Sequence, residues 1–140
     1  MTQLLCPACN RTSPADTTRF RCECGEPMDV DHGPLPPVSR ALFDDRTRLP
    51  DAPYDSGVWR FKELVYPGLD PASVVSRPEG NTALFRAQQV ADYVGLKEMP
   101  LKHEGMNPTG SFKDRGMTMA ASQAKHVGAR AVVCASTGNT

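Results

Sequence analysis

Four of the five cysteines, Cys6, Cys9, Cys22 and Cys24, fall within the first 24 residues, and this clustering constrains the fold more than any other feature. They form two close pairs, Cys6-x2-Cys9 and Cys22-x-Cys24, separated by twelve residues. Thiolates two or three positions apart can face one ion across a tight turn, and two such pairs complete a tetrahedral Zn–S4 site. A span this short has little apolar content, so a bound metal would supply most of its folding free energy. Four thiolates leave no position open for water, so the implied role is structural rather than catalytic. The alternatives are unmetallated reduced cysteines or a disulfide pair, and a reducing compartment disfavours the disulfides. The C-x-C spacing of the second pair is tighter than the usual C-x2-C. His32 is a substitute ligand or a solvated loop histidine. Residues 1–31 thus read as a small knuckle, with turns at Pro7, Asn10, Pro14, Gly25 and Pro27. The fifth cysteine, Cys134, lies in an apolar run and is expected to be a buried small hydrophobe.

Sixteen basic residues balance sixteen acidic ones. No global field recruits nucleic acid or an anionic membrane, so neither is expected as a partner. No apolar run approaches the roughly 20 residues needed to span a bilayer. Met1–Cys6 has neither the basic start nor the apolar length of a signal peptide, which makes a cytoplasmic protein the expectation. Eight of the thirteen prolines lie between Pro34 and Pro78. Residues 32–80 are therefore expected to be irregular backbone lying over something else, not an independent core. Within them, Val58, Phe61, Leu64 and Val65 recur at helical spacing, with Trp59 and Tyr66 available for packing.

From residue 81 the texture alternates. Ala83–Arg86 reads as a strand, Gln88–Val94 as a short helix stopped by Gly95, and Met99–His103 as a second extended piece. The best helix opens at Ser111, where Ser111 and Asp114 make an S-x-x-D capping box, and stops at Gly128. Ala131–Ala135, β-branched at its centre, reads as a buried strand. This alternation predicts an α/β fold with a parallel sheet and right-handed crossovers. About three strands and one full helix are too few for a parallel sheet covered on both faces, so the sequence reads as truncated in mid-fold.

The helix start carries the chemistry. Lys113 falls in the first turn, where the positive end of the helix dipole and nearby Arg115 both disfavour its ammonium. A lysine primed in this way suits a Schiff base with a carbonyl cofactor such as pyridoxal phosphate. The bland alternative is a surface lysine paired with Asp114 or Glu104. His103 is a packed strand residue or a group close enough to the lysine loop to take part. His126, in the last helical turn, complements the dipole.

The string Asn107–Met117, NPTGSFKDRGM, resembles the cofactor-lysine motif of pyridoxal-phosphate enzymes of the tryptophan-synthase-β type, and within that group the threonine synthases. Other segments agree in order and spacing. The cysteine knuckle resembles the leader of many threonine synthases. Glu79-Gly80-Asn81-Thr82 resembles the EGNT opening of the family's catalytic domain, although Ala83 replaces the usual proline. Ser136-Thr137-Gly138-Asn139-Thr140 resembles the family's S-T-G-N-T loop.

The resemblance implies an α/β pyridoxal-phosphate domain from residue 81 to 140, preceded by a zinc-ribbon-like knuckle (1–31) and a proline-rich connection (32–80). It implies that Lys113 bonds pyridoxal phosphate and later moves a proton. Asn139 would hydrogen-bond the cofactor's ring oxygen, while Ser136, Thr137, Gly138 and Thr140 would hold substrate anions. The implied reaction turns O-phosphohomoserine and water into threonine and phosphate. A glycine-rich loop for the cofactor phosphate and a hydroxyl facing the pyridine nitrogen are expected outside these residues. The expectation is thus an N-terminal part of such an enzyme, inactive alone, with homo-oligomerisation open for the complete protein. Two other readings remain: a sister enzyme such as threonine dehydratase or a cysteine-synthase-like β-replacement enzyme, and a non-enzymatic zinc-ribbon binding module.

Overall fold

A computed structural model describes residues 2–48 and 52–140. At the N-terminus, β1 (Gln3–Leu5) is the middle strand of an antiparallel sheet in the order β2-β1-β3, flanked by β2 (Thr12–Pro14) and β3 (Asp29–Asp31). Leu4 faces Ser13 on one side and Val30 on the other. Both cysteine pairs sit on tight turns, as their spacing requires. The Asn10 N–H closes on the Cys6 carbonyl at 2.8 Å, with Asn10 itself left-handed at φ 57°. In the second turn the Gly25 N–H bonds to the Cys22 carbonyl at 2.9 Å. Gly25 there adopts φ 93°, a conformation that costs glycine little.

The second sheet pairs β4 (Leu84–Arg86) with β5 (Pro100–Lys102), and α3 (Gln88–Val94) connects them. α3 ends as expected at Gly95, whose φ of 75° lets the chain reverse. This pairing is antiparallel, so the expected parallel sheet is not formed among the described residues. Residues Ala131–Ala135 are also not a strand. Val132 and Val133 are 59% and 94% exposed, and Cys134 is exposed rather than buried. β-branched residues favour extended backbone, but a ladder needs a neighbour to receive each N–H and C=O, and none lies alongside. The coarser expectation, an α/β chain, holds.

The proline-rich middle segment holds more than connections. It forms α1 (Arg40–Arg48) and, after a single 3₁₀ turn at Trp59–Phe61, α2 (Lys62–Val65). It also supplies the main buried cluster, Val58, Trp59, Tyr66 and Leu69, against which Val65, Val74 and Met119 pack. The expectation that this stretch merely overlies a core located elsewhere is therefore corrected. Prolines break it into turns, and the apolar residues between the turns wrap one long helix.

That helix is α4 (Asp114–His126). It starts later than the capping-box reading implied, because Ser111 and Asp114 are otherwise engaged. The Ser111 hydroxyl accepts the Lys113 N–H at 3.1 Å, and the Asp114 carboxylate reaches back to Thr109. Its end follows expectation: Gly128 is left-handed at φ 66°, and the N–H groups of Gly128 and Ala129 bond to the carbonyls of Lys125 and Ala124. Along its buried face the Trp59 Nε1–H donates to Thr118 Oγ1 at 2.7 Å, and that hydroxyl donates to the Val75 carbonyl at 2.6 Å. Tyr66 donates to Gln123 Oε1 at 2.8 Å, while Gln123 Nε2 donates to the Ala15 carbonyl at 2.6 Å. One helix therefore carries the lysine at its head and the cysteine knuckle on its flank. No described helix is long and apolar enough to cross a membrane.

Candidate active site and thiol cluster

Lys113 is the residue immediately before α4, half-buried. Both carboxylates that the bland reading offered it are engaged elsewhere. Asp114 accepts the Thr109 N–H at 2.8 Å and the Thr109 hydroxyl at 2.5 Å. Glu104 accepts from Arg115 through both oxygens, at 2.8 and 2.9 Å, in the forked geometry that suits a guanidinium. Among the described residues none pairs with the Lys113 amine.

Arg115 is thus structural, and Glu104 is the centre of a network. The Thr82 hydroxyl donates to it at 2.9 Å and the Asn107 amide at 3.0 Å. The Arg115 guanidinium, with help from Thr82 and Asn107, holds the Glu104 carboxyl down at about 2. Asn107 is buried and accepts the Gly80 N–H at 2.9 Å through its side-chain oxygen. Gly80 is left-handed at φ 82°, and a Cβ there would lie 2.7 Å from the Gly57 Cα and 2.8 Å from an Arg115 nitrogen. Only glycine allows this approach. Glu79 is buried beside it, with Oε2 accepting from the Ser76 hydroxyl and the Arg77 N–H, both at 3.0 Å. The EGNT segment therefore anchors the lysine loop. Glu104, Asn107, Thr82 and Glu79 were not singled out from sequence, because their roles depend on pairings between segments. Glu79, Thr82 and Asn107 had only their membership of the EGNT and NPTGSFKDRGM strings as a signal, and Glu104 only its place as a partner for Lys113.

The Ser136–Thr140 loop reaches the same place. The Ser111 hydroxyl donates to the Asn139 carbonyl at 2.5 Å, which brings Asn139 beside the residues that precede Lys113. Within the loop, the Ser136 Oγ accepts the N–H groups of Gly138 at 2.9 Å and Thr140 at 3.0 Å, in the manner of a helix N-cap. Thr137 and the rest of the loop are exposed. The unpaired Lys113 amine, beside a loop of hydroxyls and backbone N–H groups, fits an aldehyde-bearing anionic cofactor. His103 is not part of this arrangement: its ring lies against Phe85, with centroids 6.1 Å apart.

The four N-terminal cysteines converge, their sulfurs all within 4.8 Å of one another. Cys6 and Cys24 are 3.6 Å apart, as are Cys9 and Cys22. Zn–S bonds of about 2.3 Å in a tetrahedron put sulfurs about 3.8 Å apart, so the cluster is of the size a zinc ion needs. Burial opposes ionisation of Cys6, but the N–H groups of Cys9 and Ala8 outweigh it and bring that thiol to about 7. His32 stays outside the cluster, with its Nδ1 on the Thr2 hydroxyl at 3.0 Å.

Residues 75–140 match the family described as pyridoxal-phosphate dependent enzyme. The chain is also similar to curated threonine synthases. It is 38% identical over 135 residues to the one from Methanocaldococcus jannaschii, a match covering 96% of this chain and 32% of that protein. It is 36% identical over 146 residues to the chloroplastic threonine synthase 2 of Arabidopsis thaliana, covering 96% of this chain and 28% of the relative. Over 75 residues it is 56% identical to the Synechocystis protein, covering 53% of this chain and 20% of that one. The chain thus spans about a third of the length of the relatives it matches throughout.

Proposed function

We propose that this chain contributes the lysine half of a threonine synthase site, in a protein that converts O-phosphohomoserine and water to threonine and phosphate. The observation that carries this reading is the unpaired Lys113 amine at the head of α4, with both neighbouring carboxylates engaged and the Asn139 loop bonded to Ser111. Lys113 would hold pyridoxal phosphate covalently. The cofactor, when bound, supplies an electron sink for carbanion chemistry at the amino-acid substrate. The chain's own residues do the rest. The Lys113 amine takes and returns protons at substrate carbon. Asn139 orients the ring from the loop that Ser111 tethers. Ser136, Thr137, Gly138 and Thr140 would hold substrate anions, the Gly138 and Thr140 N–H groups leaving Ser136 Oγ to do so. The Glu104–Arg115 pair keeps the loop below Lys113 from collapsing onto it.

The same reading assigns three parts to the chain: a knuckle (1–31), a connecting segment (32–80) and the start of the catalytic domain (81–140). In the knuckle Cys6, Cys9, Cys22 and Cys24 hold a structural zinc, supported by the size of the thiol cluster. Reduced thiols suit a cytoplasmic protein.

The test is borohydride reduction of the protein expressed from its whole reading frame and loaded with pyridoxal phosphate, followed by peptide mapping. The pyridoxyl group is expected on Lys113, and Lys113→Ala should abolish phosphate release from O-phosphohomoserine. A tag on another lysine, or none, overturns the assignment. Turnover of threonine or a cysteine precursor without phosphate release would shift it to a sister enzyme. Absence of turnover, with partner binding lost on zinc removal and unchanged in Lys113→Ala, would favour a binding module.

A further inference from the structure

We propose that the thiol cluster is an oxidation site with defined connectivity, in which peroxide converts the four cysteines to two nested disulfides, Cys6–Cys24 and Cys9–Cys22. The assignment rests on where the sulfurs stand and not on the zinc reading. Each of these pairs is already in contact at 3.6 Å, so closure needs sulfur movement of about 1.5 Å to reach a disulfide bond. Each pair also joins sulfurs of unequal exposure. Cys24 is exposed and its partner Cys6 is buried; Cys9 is exposed and its partner Cys22 is half-buried. An oxidant therefore meets one sulfur of each pair first.

The chemistry balances in two steps for each pair. One thiol of the pair reduces one peroxide to water and becomes a sulfenic acid. Its partner then attacks that sulfur, expelling a second water and forming the disulfide. The competing closures lie within each turn, Cys6–Cys9 across two intervening residues and Cys22–Cys24 across one. The crosswise bonds instead span 18 and 13 residues and join the two turns of the knuckle. Any zinc held by these sulfurs would leave as they oxidise, since the ligand is the thiolate.

The experiment uses the whole protein carrying Cys134→Ser, which removes the one cysteine of these 140 residues outside the cluster. Limited hydrogen peroxide is added, remaining thiols are alkylated, and tryptic peptides are mapped without reduction. Trypsin separates Met1–Arg11 from Cys22–Arg40. We expect these two peptides to appear covalently joined, with fragmentation placing Cys6 on Cys24 and Cys9 on Cys22. Two separate peptides, each internally bridged, would overturn the proposal, as would crossed linkage of Cys6 to Cys22 or accumulation of sulfinic acid in place of disulfide. Two double variants give a second measure. Cys6→Ser with Cys24→Ser keeps the contacting pair Cys9 and Cys22, and should form its disulfide at least tenfold faster than Cys6→Ser with Cys22→Ser. Equal rates would refute the pairing. Zinc release, read with a metal indicator in the same reaction, tests the metal assignment separately and leaves the connectivity result untouched.

Discussion

The Lys113 amine pairs with none of the described residues, and the two carboxylates beside it in sequence, Asp114 and Glu104, are held by Thr109 and Arg115. This division of partners gives a pH signature. The Glu104 carboxyl, ordinarily near 4.5, is held at about 2 in the folded chain by Arg115, Thr82 and Asn107. A carboxyl whose folded value lies below its unfolded one contributes stability that is complete above the unfolded value and fades as pH falls toward the folded one. Glu104→Gln should therefore unfold at lower urea than wild type at pH 6, and the gap should narrow between pH 4.5 and 2. Paired urea titrations at several pH values measure it. A gap that stays constant through that window would show that Glu104 acts by packing and not by charge. Lys113 stands out in the sequence as a candidate because its motif is one contiguous string. The Glu104–Arg115 fork does not, since nothing in spacing alone distinguishes a forked ion pair from two solvated charges.

At the level of elements, α4 is held by polar bonds from the middle segment as much as by apolar contact. Thr118 is the clearest case: buried itself, it accepts from the buried Trp59 indole and donates to the Val75 carbonyl. Thr118→Val keeps the volume but leaves the buried Trp59 indole N–H without its acceptor, while the Val75 carbonyl keeps the Ser122 hydroxyl at 3.5 Å. One buried unsatisfied group costs about 1–3 kcal/mol, which is the loss expected by urea unfolding, with Trp59 fluorescence shifting as the indole loses its acceptor. A loss of under about 0.5 kcal/mol would mean that Ser122 or water takes over the indole bond. The C-terminus of α4 and the whole of α3 were legible because a left-handed glycine is a local stop signal. The start of α4 was misread by three residues, since a hydroxyl can cap a helix or tether a loop, and Ser111 does the latter. The strand expected at 131–135 failed for a different reason, namely that strand propensity is realised only beside a partner.

Across the molecule, burial is uneven in a way that bears on the metal. The principal core gathers Val58, Trp59, Tyr66 and Leu69, with Met119 from α4, and takes no side chain from residues 2–31. Among the described knuckle residues the one buried hydrophobic is Cys6, itself a member of the thiol cluster. Three strands of three residues each and a few turns cannot offset the chain entropy of ordering that region, at roughly 1–2 kcal/mol per residue, without another source of free energy. A zinc ion on Cys6, Cys9, Cys22 and Cys24 would supply it. Two consequences separate this view from a self-standing knuckle. The purified protein should carry a single zinc per chain by atomic emission, and Cys9→Ser should lower that content. Chelation should then expose Arg11, Arg19 and Arg21 to trypsin, while the emission of Trp59, the sole tryptophan, changes little because its surroundings lie in the core and on α4. Resistance of those arginines to trypsin after complete metal removal would mean that the Gln123–Ala15 bond and the packing of His32 against Tyr66 hold the knuckle by themselves. Loss of the Trp59 signal together with the metal would mean that knuckle and core fold as one cooperative unit, joined through the flank of α4.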